Sequence, residues 1–142
     1  MFTQRSHRVP MSRINTLRQV PMFAGLSDAA LARVDSHMAE VDVAANTVLT
    51  TEGEPGREAF IVAAGRAAVH VDGLPVGAVS VGDVIGETAL LDPGPRTATV
   101  VALTPMRIYV LDPAQFVTLF DDPGAGYWIA SQLARRLRTA TT

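Results

Sequence analysis

The chain contains no cysteine and no lysine. The first absence excludes a disulfide framework, thiolate catalysis and cysteine-ligated zinc or iron–sulfur centres. The second leaves arginine as the only strong cation: all 12 basic residues are Arg against 14 acidic ones, a net charge of -2 that provides no global attraction to nucleic acid. This all-Arg usage, together with abundant alanine, is what a GC-rich genome produces. Long apolar runs are missing as well. The stretch from Ala59 to Ala64 is typical and falls far short of the roughly 18 residues of a spanning helix, so no membrane segment is expected. His7, His37 and His70 are too scattered for a metal site. Aromatics make up only 6% of residues, and Tyr127 and Trp128 read as packing rather than as a stacking platform. No Ser–His–Asp order, paired-carboxylate signature or Walker motif is present, so the reading is of a protein that is not an enzyme and has no catalytic residues.

What is present is the composition of one globular domain. Its 142 residues are 48% hydrophobic and 18% charged, and a chain of that length buries about 68–70% of its unfolded surface. Arg5, Arg8, Arg13 and Arg18 fall in the first 20 residues without an acid and without a following apolar region, so residues 1–16 read as a flexible basic arm rather than a secretory signal, and residues 17–142 as the folded domain. A helix is expected from Ser27, with Ser as N-cap, Asp28 in the first turn and a Leu26–Leu31 staple; Leu31, Val34 and Met38 make its buried face. From Val41 to Leu111 the period drops to two, as in Ala67, Val69, Val71 and Met106, Ile108, Val110, with turn residues recurring at Gly53 to Gly56, Gly65, Asp72-Gly73, Gly82-Asp83 and Pro93 to Pro95. That spacing predicts an antiparallel roll, sandwich or barrel. Helical signals return at Asp112-Pro113 and in Ile129, Leu133 and Leu137.

The segment Asp83 to Val100 carries the chemistry. Gly86 opens what reads as a single helical turn over Glu87 to Leu91, whose free N–H groups favour an anion. Arg96, nine positions after Glu87, enters the next strand beside Thr97. A guanidinium fork holds two phosphate oxygens at once and stays charged when buried, and an ionised Glu87 accepts a hydroxyl proton. Residue types alone leave a second account open, in which Glu87 and Arg96 form an ion pair across a turn and Thr97 and Thr99 simply face outward.

Gly86-Glu87, Ala89-Leu90 and Pro95-Arg96-Thr97-Ala98-Thr99-Val100 resemble the phosphate-binding cassette of cyclic nucleotide-binding domains, found in bacterial cAMP receptor proteins, regulatory subunits of cAMP-dependent protein kinase and cyclic nucleotide-gated channels. Leu17 to Leu26, the Gly53, Phe60-Ile61-Val62 and Gly65 pattern, and Gly82-Asp83 extend the likeness over residues 17 to 138. The resemblance implies a mainly β fold: an eight-stranded antiparallel β-roll with N-terminal helices and two C-terminal helices. It also implies a 3′,5′-cyclic nucleotide as ligand, cAMP ahead of cGMP, with no cofactor or metal. Carried over, Glu87 takes the ribose 2′-OH and Arg96 the cyclic phosphate, while the backbone of Gly86, Ala89 and Leu90 and the Thr97 hydroxyl complete the site. Ile85 and Thr88 depart from the usual pattern without touching these anchors.

Gln132 to Leu137 resembles the helix that covers the nucleotide and forms the dimer seam in cAMP receptor proteins, which would bring Arg136 to Glu87 or the ligand and pair two copies; a solvated face is the other reading of Arg135, Arg136 and Arg138. The expectation is thus a cytoplasmic bacterial sensor that repositions its C-terminal helices on binding, with an unknown effector and no DNA-binding domain within this chain. The competing expectation is a degenerate relative that keeps the roll for dimerisation or protein docking.

Overall fold

Ser27 starts the clearest helix. Its hydroxyl accepts the Ala30 amide at 3.2 Å and its carbonyl accepts Leu31 N at 2.9 Å, which caps α2 (Asp28–Ser36) as the sequence predicts. Leu26 and Leu31 are both buried, and Leu31, Val34 and Met38 lie in one cluster. These features belong to a computed structural model that describes residues 3–4, 11–20, 23, 25–36, 38–86, 89, 94–114, 130, 131 and 134.

Helix α1 (Met11–Arg18) begins ahead of residue 17 and carries Arg13 and Ile14 into the interior, while Thr3–Gln4 (β1) pairs with Asp42 and Val41. Arg13 forms a buried ion pair with Asp35 of α2, donates from Nη2 to the Asp35 and Met38 carbonyls at 3.3 and 3.2 Å, and stacks 5.1 Å from the Tyr109 ring centre. A positive charge counted with the basic arm is therefore what docks α1 onto α2 and the sheet.

The remaining strands are β2 (Ala39–Val43), β3 (Val48–Thr50), β4 (Pro55–Gly56), β5 (Ala59–Ala64), β6 (Ala67–Val71), β7 (Leu74–Val79), β8 (Val84–Ile85), β9 (Gly94–Pro95), β10 (Thr99–Ala102) and β11 (Met106–Leu111). They form antiparallel sheets in the orders β1-β2-β11-β5-β8, β3-β10-β6-β7 and β4-β9. Among the described residues the strand block is thus cut into more and shorter pieces than the eight expected, with left-handed turn residues at Gly53, Gly65, Asp72-Gly73 and Gly82 between successive strands; β4, β8 and β9 have two residues each. Asp72 and Gly73, with φ of 54° and 78°, make the tight turn that joins β6 to β7.

The strands β5 and β11 divide the interior. Ala59, Ile61, Tyr109 and Leu111 pack on the helices, whereas Phe60, Val62, Met106 and Ile108 face the inside of the roll with Val41, Leu49, Ile85 and Val100. Alternation is correct in the sequence reading of β11, but its second face is covered by helices rather than water. Pro113 and Ala114 are helical directly after Asp112, and Ala130, Ser131 and Ala134 are helical too. The rest of the two expected C-terminal helices, Arg136 included, lies outside the described residues. No helix among the described residues is long and apolar enough to cross a membrane.

Candidate functional site

Arg96 has no long strand to hold it. Its backbone is held instead by residues 50–56, through the β4–β9 ladder (Pro55 opposite Pro95, Gly56 opposite Gly94) and four further bonds. Arg96 N donates to Glu54 O and Gly53 N to Arg96 O, both at 2.8 Å; Thr50 Oγ1 donates to Ala98 O at 3.0 Å; Glu52 N donates to Thr99 Oγ1 at 2.9 Å. Thr99 therefore ties the segment down rather than simply facing outward.

The Arg96 side chain runs back over this support. Nη2 donates to the Glu58 carbonyl at 2.8 Å, and Cζ stands 5.8 Å from the centre of the Phe60 ring. Nη1 is buried and has no hydrogen-bond partner among the described residues. Burial pushes the Arg96 guanidinium below the usual arginine value, and the Glu58 carboxylate opposes that shift. Arginine starts so far above neutrality that the group stays charged. A buried cationic nitrogen left without a partner is costly, and an anion placed against it removes the cost.

Gly86 closes the other side. It follows β8, which pairs with β5 through Phe60 and Ile85, and its φ of 79° is a left-handed value that glycine adopts without strain. The Gly86 carbonyl accepts the amide of Ala89 at 3.1 Å, and Ala89 is helical and buried, in keeping with a helical turn opened at Gly86. Glu87 and Leu90 lie outside the described residues.

Gly86, Arg96 and Thr97 border one cavity of about 200 Å³. Its remaining walls are Thr50 and Ala98 beside the arginine, and Val69, Val79, Val84, Ile85 and Val100 from the roll. One end is cationic and the other aliphatic. The volume is below the roughly 300 Å³ at which pockets for drug-sized ligands begin, so it takes in part of such a molecule. No group of three or more potential metal ligands occurs among the described residues.

Sequence reasoning placed Gly86, Arg96 and Thr97 together and missed Thr50, Gly56, Glu58 and Phe60. The Gly53–Gly56 punctuation was visible, but its pairing with residues about 40 positions away was not.

A model of the cyclic nucleotide-binding domain matches residues 40–122, more than half of the chain. The chain belongs to the cyclic nucleotide-binding domain family. The match spans the cavity, the support at residues 50–60 and the cassette. A CRP-like cAMP-activated global transcriptional regulator of Mycobacterium tuberculosis is 30% identical over 128 residues, covering 86% of this chain and 57% of that protein. A cGMP-dependent protein kinase of Caenorhabditis briggsae is 40% identical over 79 residues, covering 56% of this chain and 10% of the kinase. Among solved structures, the regulatory domain of Toxoplasma gondii PKA, co-crystallised with cAMP, superposes with a TM-score of 0.71 at 31% identity over 82% of this chain and 46% of its own. The chain thus spans little more than half of the M. tuberculosis regulator and less of the other two.

Proposed function

We propose that the cavity binds one 3′,5′-cyclic nucleotide, cAMP in preference to cGMP, and that the domain is a regulatory sensor rather than an enzyme. The observation that carries this reading is that Arg96, whose Nη1 is buried without a hydrogen-bond partner among the described residues, lines a cavity whose other walls are Thr50, Thr97 and mostly aliphatic residues. A cyclic phosphodiester has a single negative charge, which one guanidinium neutralises, and the valine-lined end accepts the less polar face of sugar and base. In this reading Gly86, Ala89 and Leu90 offer backbone groups and Thr97 its hydroxyl to the phosphate, and Glu87 accepts the ribose 2′-OH. Arg136 belongs to a helix that closes over the ligand and pairs with a second copy.

The preference for adenine rests on the aliphatic lining. Guanine presents three polar edge groups, O6, N1–H and the 2-amino group, against the two of adenine, N1 and the 6-amino group, so it loses more hydration against Val69, Val79, Val84 and Val100. Binding acts by favouring one arrangement of the C-terminal helices over another. Its consequence is delivered to an effector outside the folded roll, in the cytoplasm of a bacterial cell. The likeness to a cAMP-activated regulator and to a domain crystallised with cAMP supports this ligand class.

Titration calorimetry with cAMP and cGMP on the wild type and on Arg96→Ala tests the reading. The expected result is tighter binding of cAMP and a loss of roughly 10- to 150-fold without Arg96, the equivalent of a charged hydrogen bond of about 1.5–3 kcal/mol. Tight binding indifferent to Arg96 overturns the site. No binding of either nucleotide overturns the ligand and favours the docking-module alternative.

A further inference from the structure

We propose that Gly56 is the positioning residue of the anion site: because it has no side chain, the Arg96 guanidinium can lie against the β4–β9 ladder and hold Nη1 beside Gly86 at the cavity wall. This inference rests on the cyclic-nucleotide reading for its consequence in binding, though not for its geometry.

A Cβ built on Gly56 would stand 1.9 Å from Arg96 Nε, 2.4 Å from Cζ and 2.7 Å from Nη2. These are the atoms that orient the fork, whose Nη2 is anchored on the Glu58 carbonyl and whose face lies toward Phe60. The backbone of Gly56 is not in the left-handed region, so alanine is conformationally acceptable there. What a methyl group cannot do is share the space. Arginine is long and flexible, so the chain escapes the collision by swinging its guanidinium off the ladder, which breaks the Glu58 contact and withdraws Nη1 from its place beside Gly86.

The two neighbouring glycines behave differently. At Gly86 a Cβ would meet Arg96 Nη1 at 2.3 Å, but also the Glu58 carbonyl at 3.2 Å, and φ is 79°, so substitution there strains the backbone as well as the arginine. Gly94, the ladder partner of Gly56, has open space where its Cβ would be. Gly56→Ala therefore isolates the clearance, and Gly94→Ala on the opposite strand is its control.

Two readouts test the proposal. The first needs no ligand. The Nε–H resonance of Arg96 in the free protein, assigned by its disappearance in Arg96→Lys, is expected to be shifted by the Phe60 ring. Gly56→Ala should return it to the solvent-exposed arginine position, and Gly94→Ala should leave it in place. The second is cAMP calorimetry on the folded variants. Gly56→Ala is expected to weaken binding at least tenfold with its circular dichroism and thermal midpoint retained, Gly94→Ala to change it less than about twofold, and Gly56→Ala added to Arg96→Ala to cause no further loss.

An unchanged Arg96 resonance in Gly56→Ala overturns the proposal, as does additional loss in the Arg96→Ala background, because the effect would then run through something other than the arginine. If the wild type binds no cyclic nucleotide, the ligand reading fails while the resonance still decides whether Gly56 places the guanidinium.

Discussion

Removing Arg13 should destabilise the domain more than removing its partner Asp35, although the two share one ion pair. The Arg13 side chain is 9% exposed and that of Asp35 1%, so water screens neither. Losing one member of a buried pair costs about 3–5 kcal/mol. In Arg13→Ala the Asp35 carboxylate is left in the interior with the Glu40 carboxylate nearby, since Glu40 itself stands 3.6 Å from Arg13 Nη1. That places the variant toward the upper end of the range. In Asp35→Ala the guanidinium keeps the Met38 carbonyl at 3.2 Å and Glu40, and a loss of about 1–3 kcal/mol is expected. Replacing both, as in Arg13→Met with Asp35→Leu, should leave stability within about 1 kcal/mol of the wild type or raise it.

The pH dependence follows from the direction of the Asp35 shift. Burial raises the carboxyl above the usual aspartate value while Arg13 holds it down. A folded-state pKa above the unfolded one means that the native protein binds the proton more tightly, so this group's contribution to stability is complete at low pH and is lost as pH rises through the folded value. Without Arg13 the folded value climbs further, and the deficit of Arg13→Ala should be largest at neutral pH and shrink toward about pH 4, near the unfolded aspartate pKa. Urea unfolding followed by far-ultraviolet circular dichroism at several pH values measures this. An Arg13→Ala deficit below about 1 kcal/mol at pH 7, or smaller than that of Asp35→Ala, would refute the reasoning.

Other substitutions probe the remaining supports. Ser27→Ala removes the cap of α2 and should lower the unfolding free energy by about 1 kcal/mol, with Ser27→Asp restoring most of it in the same urea experiment. Thr50→Val keeps the shape but strands the Ala98 carbonyl; a loss of about 1–3 kcal/mol is expected, with Thr50→Ser close to wild type. Saturation with cAMP at 100 times the wild-type dissociation constant should add about 2.7 kcal/mol to the wild type, read as a rise in thermal midpoint, and only about 0.3–1.4 kcal/mol to Arg96→Ala at the same concentration.

The candidate site was legible because Gly86, Arg96 and Thr97 are close in sequence and each has a chemistry of its own: a glycine where the chain turns, a lasting positive charge, and a hydroxyl beside it. The support under Arg96 was not. The Glu58 carbonyl reaches Arg96 across 38 positions, and a backbone carbonyl leaves no trace in residue type. Arg13 shows the same limit from the other side. Its neighbours in the chain are other arginines and no acids, so local charge suggested a solvated arm, whereas its partner stands 22 residues away in a different helix. Periodicity told strand from helix correctly around β11 and α2, because that signal is local. It did not tell which apolar face meets helices and which meets the cavity, since both look alike from one strand.

That ambiguity has a consequence for β5. In a sheet with one wet face, a slip of one residue exposes the core and is punished by the hydrophobic effect. Along Ala59 to Val62 both faces are dry, and a slip would exchange Ala59 and Ile61 for Phe60 and Val62 without exposing anything. Within these four residues hydropathy does not distinguish the two faces. Its alignment is kept by bulk, with small Ala59 under the helices and large Phe60 inside, and by the irregular step opposite Arg107 and Ile108. Since the Glu58 carbonyl and the Phe60 ring are two of the points on which the guanidinium rests, the place of Arg96 at the cavity is tied to the size order of side chains along β5.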